Sequence, residues 1–112
     1  MAINSFSKFL LLTSITLASA AKSPGCGKPL PKAQQPGQSN EVRFSEIQQT
    51  AGKDRTYLIH IPSNYNPDNS VPLIFSFHGK GGDSKSQEEL SQFSNEEWNP
   101  NGIAVYPQGD EV

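Results

Sequence analysis

The sequence is poor in the features that would tie a small chain down. It holds a single cysteine, Cys26, flanked by Gly25 and Gly27, and an odd cysteine implies a partner elsewhere. No sign of charge dominates: nine lysines and arginines stand against eleven aspartates and glutamates, a formal net charge of -2. The basic residues are scattered among carboxylates and form no stripe, so neither a nucleic acid nor an anionic membrane surface is expected as a partner. No apolar run reaches the about 20 residues that span a bilayer. A Walker loop, a dinucleotide fingerprint, an N-x-Ser/Thr acceptor and any internal repeat are missing as well.

What is present begins with an export signal. Lys8 gives a short positive region, Phe9 to Leu17 an apolar run, and Ala18-Ser19-Ala20 the small-x-small pattern read by signal peptidase. Residues 1–20 are therefore expected to be a signal peptide, and the protein to be secreted. Residues 21–40 hold Pro24, Pro29, Pro31 and Pro36 among glycines and glutamines. That composition cannot build a core and reads as an extended lead-in. The folded part is expected over 41–112.

There the pattern turns periodic. Val42 and Phe44 share one face of a strand expected over Glu41–Gln48, and Tyr57, Ile59 and Ile61 one face of a second over Arg55–Ile61. With Ala51-Gly52-Lys53-Asp54 between them, the two predict an antiparallel hairpin. Pro62 ends the second strand, and the asparagine-rich stretch to Pro72 is a polar turn region. Leu73-Ile74-Phe75-Ser76-Phe77 is apolar on both faces, as in a sheet covered on both sides. After His78-Gly79-Lys80-Gly81-Gly82 the pattern becomes helical: Ser86-Gln87-Glu88-Glu89 fits a capping box, and Leu90 and Phe93 lie three apart. Ile103 to Tyr106 reads as another buried strand, closed by Pro107 and Gly109. Strand, glycine loop, helix and strand in that order predict a βαβ unit with two parallel strands, an α/β fold.

Ligand sites in open α/β sheets form beyond the carboxyl ends of the strands, where the loop from His78 to Gly82 lies. Its three glycines let the main chain turn sharply and present N–H groups without side chains in the way. Such an arrangement suits a developing oxyanion. His78 is expected to hydrogen-bond the loop backbone and fix its shape. His60 alternates away from Ile59 and Ile61 and is expected to be half-exposed and structural, while Asp83 and Ser84 suit a helix start. Trp98 and Tyr106 are expected in the core rather than as a sugar platform.

Four segments together carry a resemblance. They are Arg55-Thr56-Tyr57, Ile61-Pro62-Ser63-Asn64-Tyr65, the apolar strand into His78-Gly79-x-Gly81-Gly82, and Gly102-Ile103-Ala104-Val105-Tyr106-Pro107-Gln108-Gly109. In this order they resemble the start of the secreted feruloyl esterase and polyhydroxybutyrate depolymerase family, and Gly25-Cys26-Gly27-Lys28 looks like the mature N-terminus of its fungal feruloyl esterase branch. The resemblance implies the N-terminal part of an α/β-hydrolase, a Ser-His-Asp mechanism on carboxylic esters, and no metal or cofactor. Its expected substrate is feruloylated plant polysaccharide, or another ester. By resemblance, main-chain N–H groups at Lys80 or Gly81 would donate to the oxyanion, and Cys26 would close a disulfide to a later cysteine. No G-x-S-x-G occurs anywhere in the sequence. The triad is accordingly expected beyond Val112, and the 112 residues alone are expected to be inactive. A polyester depolymerase or short-chain acyl esterase of the same fold is the alternative within enzymes. Outside them stands a secreted carbohydrate-binding module using Tyr65, Trp98 and Tyr106.

Overall fold

A computed structural model describes residues 22–44 and 54–110. The expected signal peptide, the far end of the first strand and most of the first hairpin turn lie outside these residues. The elements are β1 (Gln38–Phe44), β2 (Arg55–Ile61), β3 (Leu73–Phe75), α1 (Ser84–Ser91) and β4 (Ile103–Pro107). The described strands form one mixed sheet in the order β1-β2-β4-β3. β1 pairs antiparallel with β2, β2 antiparallel with β4, and β3 parallel with β4. The hairpin and the parallel pair are those expected from the sequence.

β1 begins earlier than its apolar residues suggest. Gln38, Ser39 and Asn40, inside the stretch read as lead-in, pair with Ile61, His60 and Ile59. Polar residues are thus drawn into the sheet by the ladder of β2.

Strand alternation gives the sheet two unlike faces. One carries Ser39, His60, Ser76, Ala104 and Tyr106, and α1 lies over it against β2 and β4. Ile61, Ala104, Val105 and Tyr106 are the buried apolar residues. The opposite face carries Phe44, Tyr57, Ile59, Leu73, Phe75 and Val105 around a broad apolar hollow of about 570 Å³. No described element covers it: Phe75 is 56% exposed, and its ring stacks only on that of Phe77, centroids 6.4 Å apart. The both-faced apolarity of this strand therefore meets a helix on one side alone among the described residues.

The helix starts at Asp83 and Ser84 as expected, but its capping box and orientation differ from those expected. Its N-cap is Asp83, not Ser86: the Asp83 carboxylate accepts from the Ser86 N–H at 2.7 Å, and the Ser86 hydroxyl accepts from the Asp83 N–H at 3.1 Å. Ser86 thus fills the N3 place of a reciprocal capping box, a role usually taken by Glu or Gln. Leu90 is 79% exposed, so the apolar pair that signalled the helix does not define its inner face. That face is polar. Ser84 is buried, and the Gln87 side chain donates to the Ser76 hydroxyl at 2.9 Å. Gln92, at φ 59°, ends the helix in the left-handed conformation.

Candidate active-site loop

The glycine loop leaves the carboxyl end of β3 beside the carboxyl end of its parallel neighbour β4. The Gly109 N–H donates to His78 Nε2 at 3.0 Å, and His78 Nδ1 lies 2.9 Å from the Gly79 carbonyl. Because Nε2 accepts, Nδ1 carries the proton and donates to Gly79, so both ring nitrogens are occupied. A general base needs a free nitrogen facing its substrate, and His78 has none. Its ring instead pins the loop to the end of β4, the structural role anticipated for it.

Glycine is required where the main chain comes close or turns. Gly81 has φ +77°, the left-handed region where a Cβ is strained. A Cβ on Gly109 would lie 3.2 Å from both Cε1 and Nε2 of His78. The Gly82 N–H donates to the Gly79 carbonyl at 3.0 Å and closes the turn. The N–H groups of Lys80 and Gly81 have no hydrogen-bond partner among the described residues. They stand at the apex of a loop whose two ends are held.

A second tie fixes the helix start next to the loop. Gln108 accepts from the Ser84 N–H through its side-chain oxygen at 2.9 Å, while its own main-chain N–H donates to the Thr56 carbonyl at 2.9 Å. Gln108 and Gly109 therefore hold the helix N-terminus and the His78 ring from one turn of chain. The Ser86 N–H, then its hydroxyl, holds the Asp83 carboxyl below the ordinary carboxylate range.

No family model matches the chain. Over 77 residues it is 34% identical to proteins of Aspergillus flavus and Aspergillus oryzae named "Probable feruloyl esterase C", covering 69% of this chain and 24% of each of theirs. Over 98 residues it is 34% identical to feruloyl esterase D of Neurospora crassa, covering 87% of this chain and 29% of that one. The chain is distantly similar to fungal feruloyl esterases. It spans about a quarter of the length of the curated relatives it matches.

The described residues contain one serine–histidine contact. Ser39 Oγ lies 3.1 Å from His60 Nδ1 beneath the last turn of α1, with Glu96 Oε1 3.7 Å from His60 Nε2. The set looks like a triad but cannot act as one. The Ser39 hydroxyl donates its only proton to the Glu88 carboxylate, so His60 Nδ1–H must donate to Ser39 rather than accept from it. The contact is a structural link that continues through Glu88 to Ser94 and the Tyr106 hydroxyl, at 2.7 and 3.0 Å.

The network corrects one expectation: His60 is 4% exposed, not half-exposed, because α1 and the chain after it close over its ring. The Ser63 hydroxyl and then the Ser63 N–H hold Glu96 below the ordinary carboxylate range, with His60 adding to the effect. Ser39, Glu88 and Glu96 escaped the sequence reading, since nothing in their spacing marks a network that only the fold assembles.

The remaining candidates lie apart from the loop. Cys26 is exposed in the lead-in, its Sγ 3.4 Å from the Ser23 hydroxyl. The Gly27 N–H donates to the Pro67 carbonyl at 3.2 Å and lays that segment against the turn after β2. Tyr106 is buried as expected. Trp98, expected in the core, is 76% exposed, because it falls in the turn after the helix rather than on a packed face. Tyr106 and Trp98 therefore make no common aromatic platform. The described residues hold no cluster of metal-ligating side chains, and no helix among them is long and apolar enough to cross a membrane.

Proposed function

We propose that this chain is the oxyanion-loop portion of a secreted serine esterase of the α/β-hydrolase fold, acting on feruloyl esters of plant cell-wall xylan. The observation that carries the reading is the pinned loop His78–Gly82, which holds two N–H groups without partners among the described residues at the carboxyl end of a parallel strand. Similarity to feruloyl esterases supports it. In this role Lys80 and Gly81 donate to the oxyanion of a tetrahedral intermediate, and His78 keeps them in place. Removing one such donor typically costs about 3 kcal/mol of transition-state stabilisation.

The remaining three quarters of such a protein supply the nucleophilic serine, the acid and the base. They also supply the helices that cover Phe75 and Leu73. Residues 1–20 direct export, and Cys26 pairs with a later cysteine.

The test uses the protein produced from its full coding sequence. Methyl ferulate should be hydrolysed, the activity should disappear on treatment with a serine-directed inhibitor, and the labelled serine should lie in a G-x-S-x-G. Turnover by residues 1–112 alone that the inhibitor abolishes would falsify the assignment, because a serine within this chain would then be the nucleophile.

A further inference from the structure

The end of the sheet opposite the His78–Gly82 loop concentrates polar side chains that ester chemistry leaves unused. β2 runs out there, and β3 and β4 both enter, with the Ile103 N–H donating to the Pro72 carbonyl at 2.9 Å. Between them lies a shallow cavity of about 380 Å³, whose polar lining is chiefly Asn64, Asn66, Asn69 and Asn101 and whose apolar lining is Val71 and Pro72. None of its lining residues is charged.

Asparagine is common in turns for reasons of backbone conformation, and one of the four side chains, Asn66, is used in that way. The Asn66 side-chain oxygen accepts from the Asp68 N–H at 2.9 Å. Asn64 Nδ2 donates to Asn101 Oδ1, also at 2.9 Å. These bonds fix the orientation of three carboxamides and leave their other ends without partners among the described residues. Nδ2 of Asn66, Nδ2 of Asn101 and Oδ1 of Asn64 remain, together with the whole Asn69 carboxamide. The cavity thus offers three carboxamides held in set orientations and a fourth, Asn69, free to turn, with no net charge.

We propose that this cavity binds a neutral carbohydrate chain. A carboxamide presents a donor and an acceptor side by side, which matches neighbouring sugar hydroxyls that each donate and accept. An anionic ligand would find no cation in the lining to offset its desolvation. Val71 and Pro72 offer C–H surface to the apolar side of a sugar ring, the usual combination of apolar wall and few placed polar groups. Peptide backbone also bonds carboxamides, but adding a peptide strand needs an open strand edge, and this cavity lies off the strand ends.

A neighbouring cavity of about 520 Å³ shares Asn69, Ser70 and Val71 with the first and continues past the half-buried Tyr65 ring, adding one charge of each sign, Lys22 and Asp68, to its lining. The groove therefore has room along its length for successive sugars. It lies at the far end of the sheet from the candidate oxyanion loop, so a chain held there leaves that loop open. The inference does not depend on the ester reading.

The experiment is native gel electrophoresis of the protein made from its full coding sequence, in gels containing soluble arabinoxylan, mixed-linkage β-glucan or dextran, with polygalacturonate as the charged comparison. At least one neutral polysaccharide should retard the protein. Asn69→Asp keeps shape and side-chain volume but exchanges the donor for a charge, and Asn101→Ala removes both a donor and the hold on Asn64. Each should weaken retardation at least about fivefold, the scale of one lost hydrogen bond, while hydrolysis of methyl ferulate is unchanged. Absence of retardation by every neutral polymer, retardation by polygalacturonate alone, or full retardation of Asn69→Asp would overturn the proposal. Loss of ester turnover in a protein that still binds the polymer would count against the esterase assignment only.

Discussion

Replacing His78 by alanine isolates the loop tether from the loop itself. The substitution removes two hydrogen bonds, to Gly79 at 2.9 Å and from Gly109 at 3.0 Å, without touching the N–H groups of Lys80 or Gly81. Two neutral bonds on a half-buried ring are together worth about 1–3 kcal/mol of stability. Complete loss of one oxyanion donor lowers kcat by about 10²- to 10³-fold. A donor that is only released, and can return to its place part of the time, should lose less, about 10- to 100-fold. The loss should fall on kcat with KM nearly unchanged, because the oxyanion exists only after attack. Gly109→Ala reaches the same end without deleting the imidazole, since the new Cβ would stand 3.2 Å from the ring and displace it. Steady-state hydrolysis of methyl ferulate by the complete protein, with thermal melts of each variant, provides the check. If His78→Ala keeps its kcat while losing stability, the tether is structural and the oxyanion role of the loop is refuted.

Three further outcomes follow from the geometry. Ser39→Ala should leave ester hydrolysis within about twofold of the parent but lower stability by about 1–3 kcal/mol in denaturant titration, because it strands the buried His60 Nδ1–H. Asp83 and Glu96 both have lowered carboxyl pKa values, so the stability they confer is complete above the ordinary carboxylate range and fades as pH falls through their lowered values. Asp83→Asn and Glu96→Gln should each flatten the acid limb of a plot of melting temperature against pH, with little change in its slope above pH of about 6. Gly102→Ala should cost about 1–3 kcal/mol, as its Cβ would come within 2.5 Å of Asn99 Oδ1, and the Asn99 carboxamide cannot swing aside without breaking its bonds to the Phe93 carbonyl and to the Gly102 N–H and carbonyl.

Much of this architecture can be read from the chain, and the failures have physical reasons. Alternation places β2, and runs of apolar residues place β3 and β4, because those signals reflect burial itself. The start of β1 is hidden, since Gln38 to Asn40 are polar and become strand only through pairing with β2. Leu90 and Phe93 find the helix but mislead about its inner face, because the sheet surface beneath α1 presents Ser76 and His60 beside Ala104 and Tyr106, and the helix meets it with Ser84 and Gln87. The glycine loop is legible from its residues. Gln108 and Gly109 look like the end of a strand, and their hold on Ser84 and His78 spans 24 and 31 residues of sequence, beyond the reach of any local pattern.

The polar seam between α1 and the sheet has a consequence for how firmly position is specified. Apolar surfaces attract one another without direction, so a helix lying on aliphatic side chains can slide by a fraction of a turn at small cost. Gln87 on Ser76, Ser84 on Gln108 and Glu88 on Ser39 allow only one axial setting, since a shift of a single residue breaks all three at once. Such a joint should add little to the heat capacity of unfolding, which scales with apolar exposure, yet define the helix origin to a fraction of an ångström. Here polarity acts as a locating pin, and the neighbouring loop takes its coordinates from it.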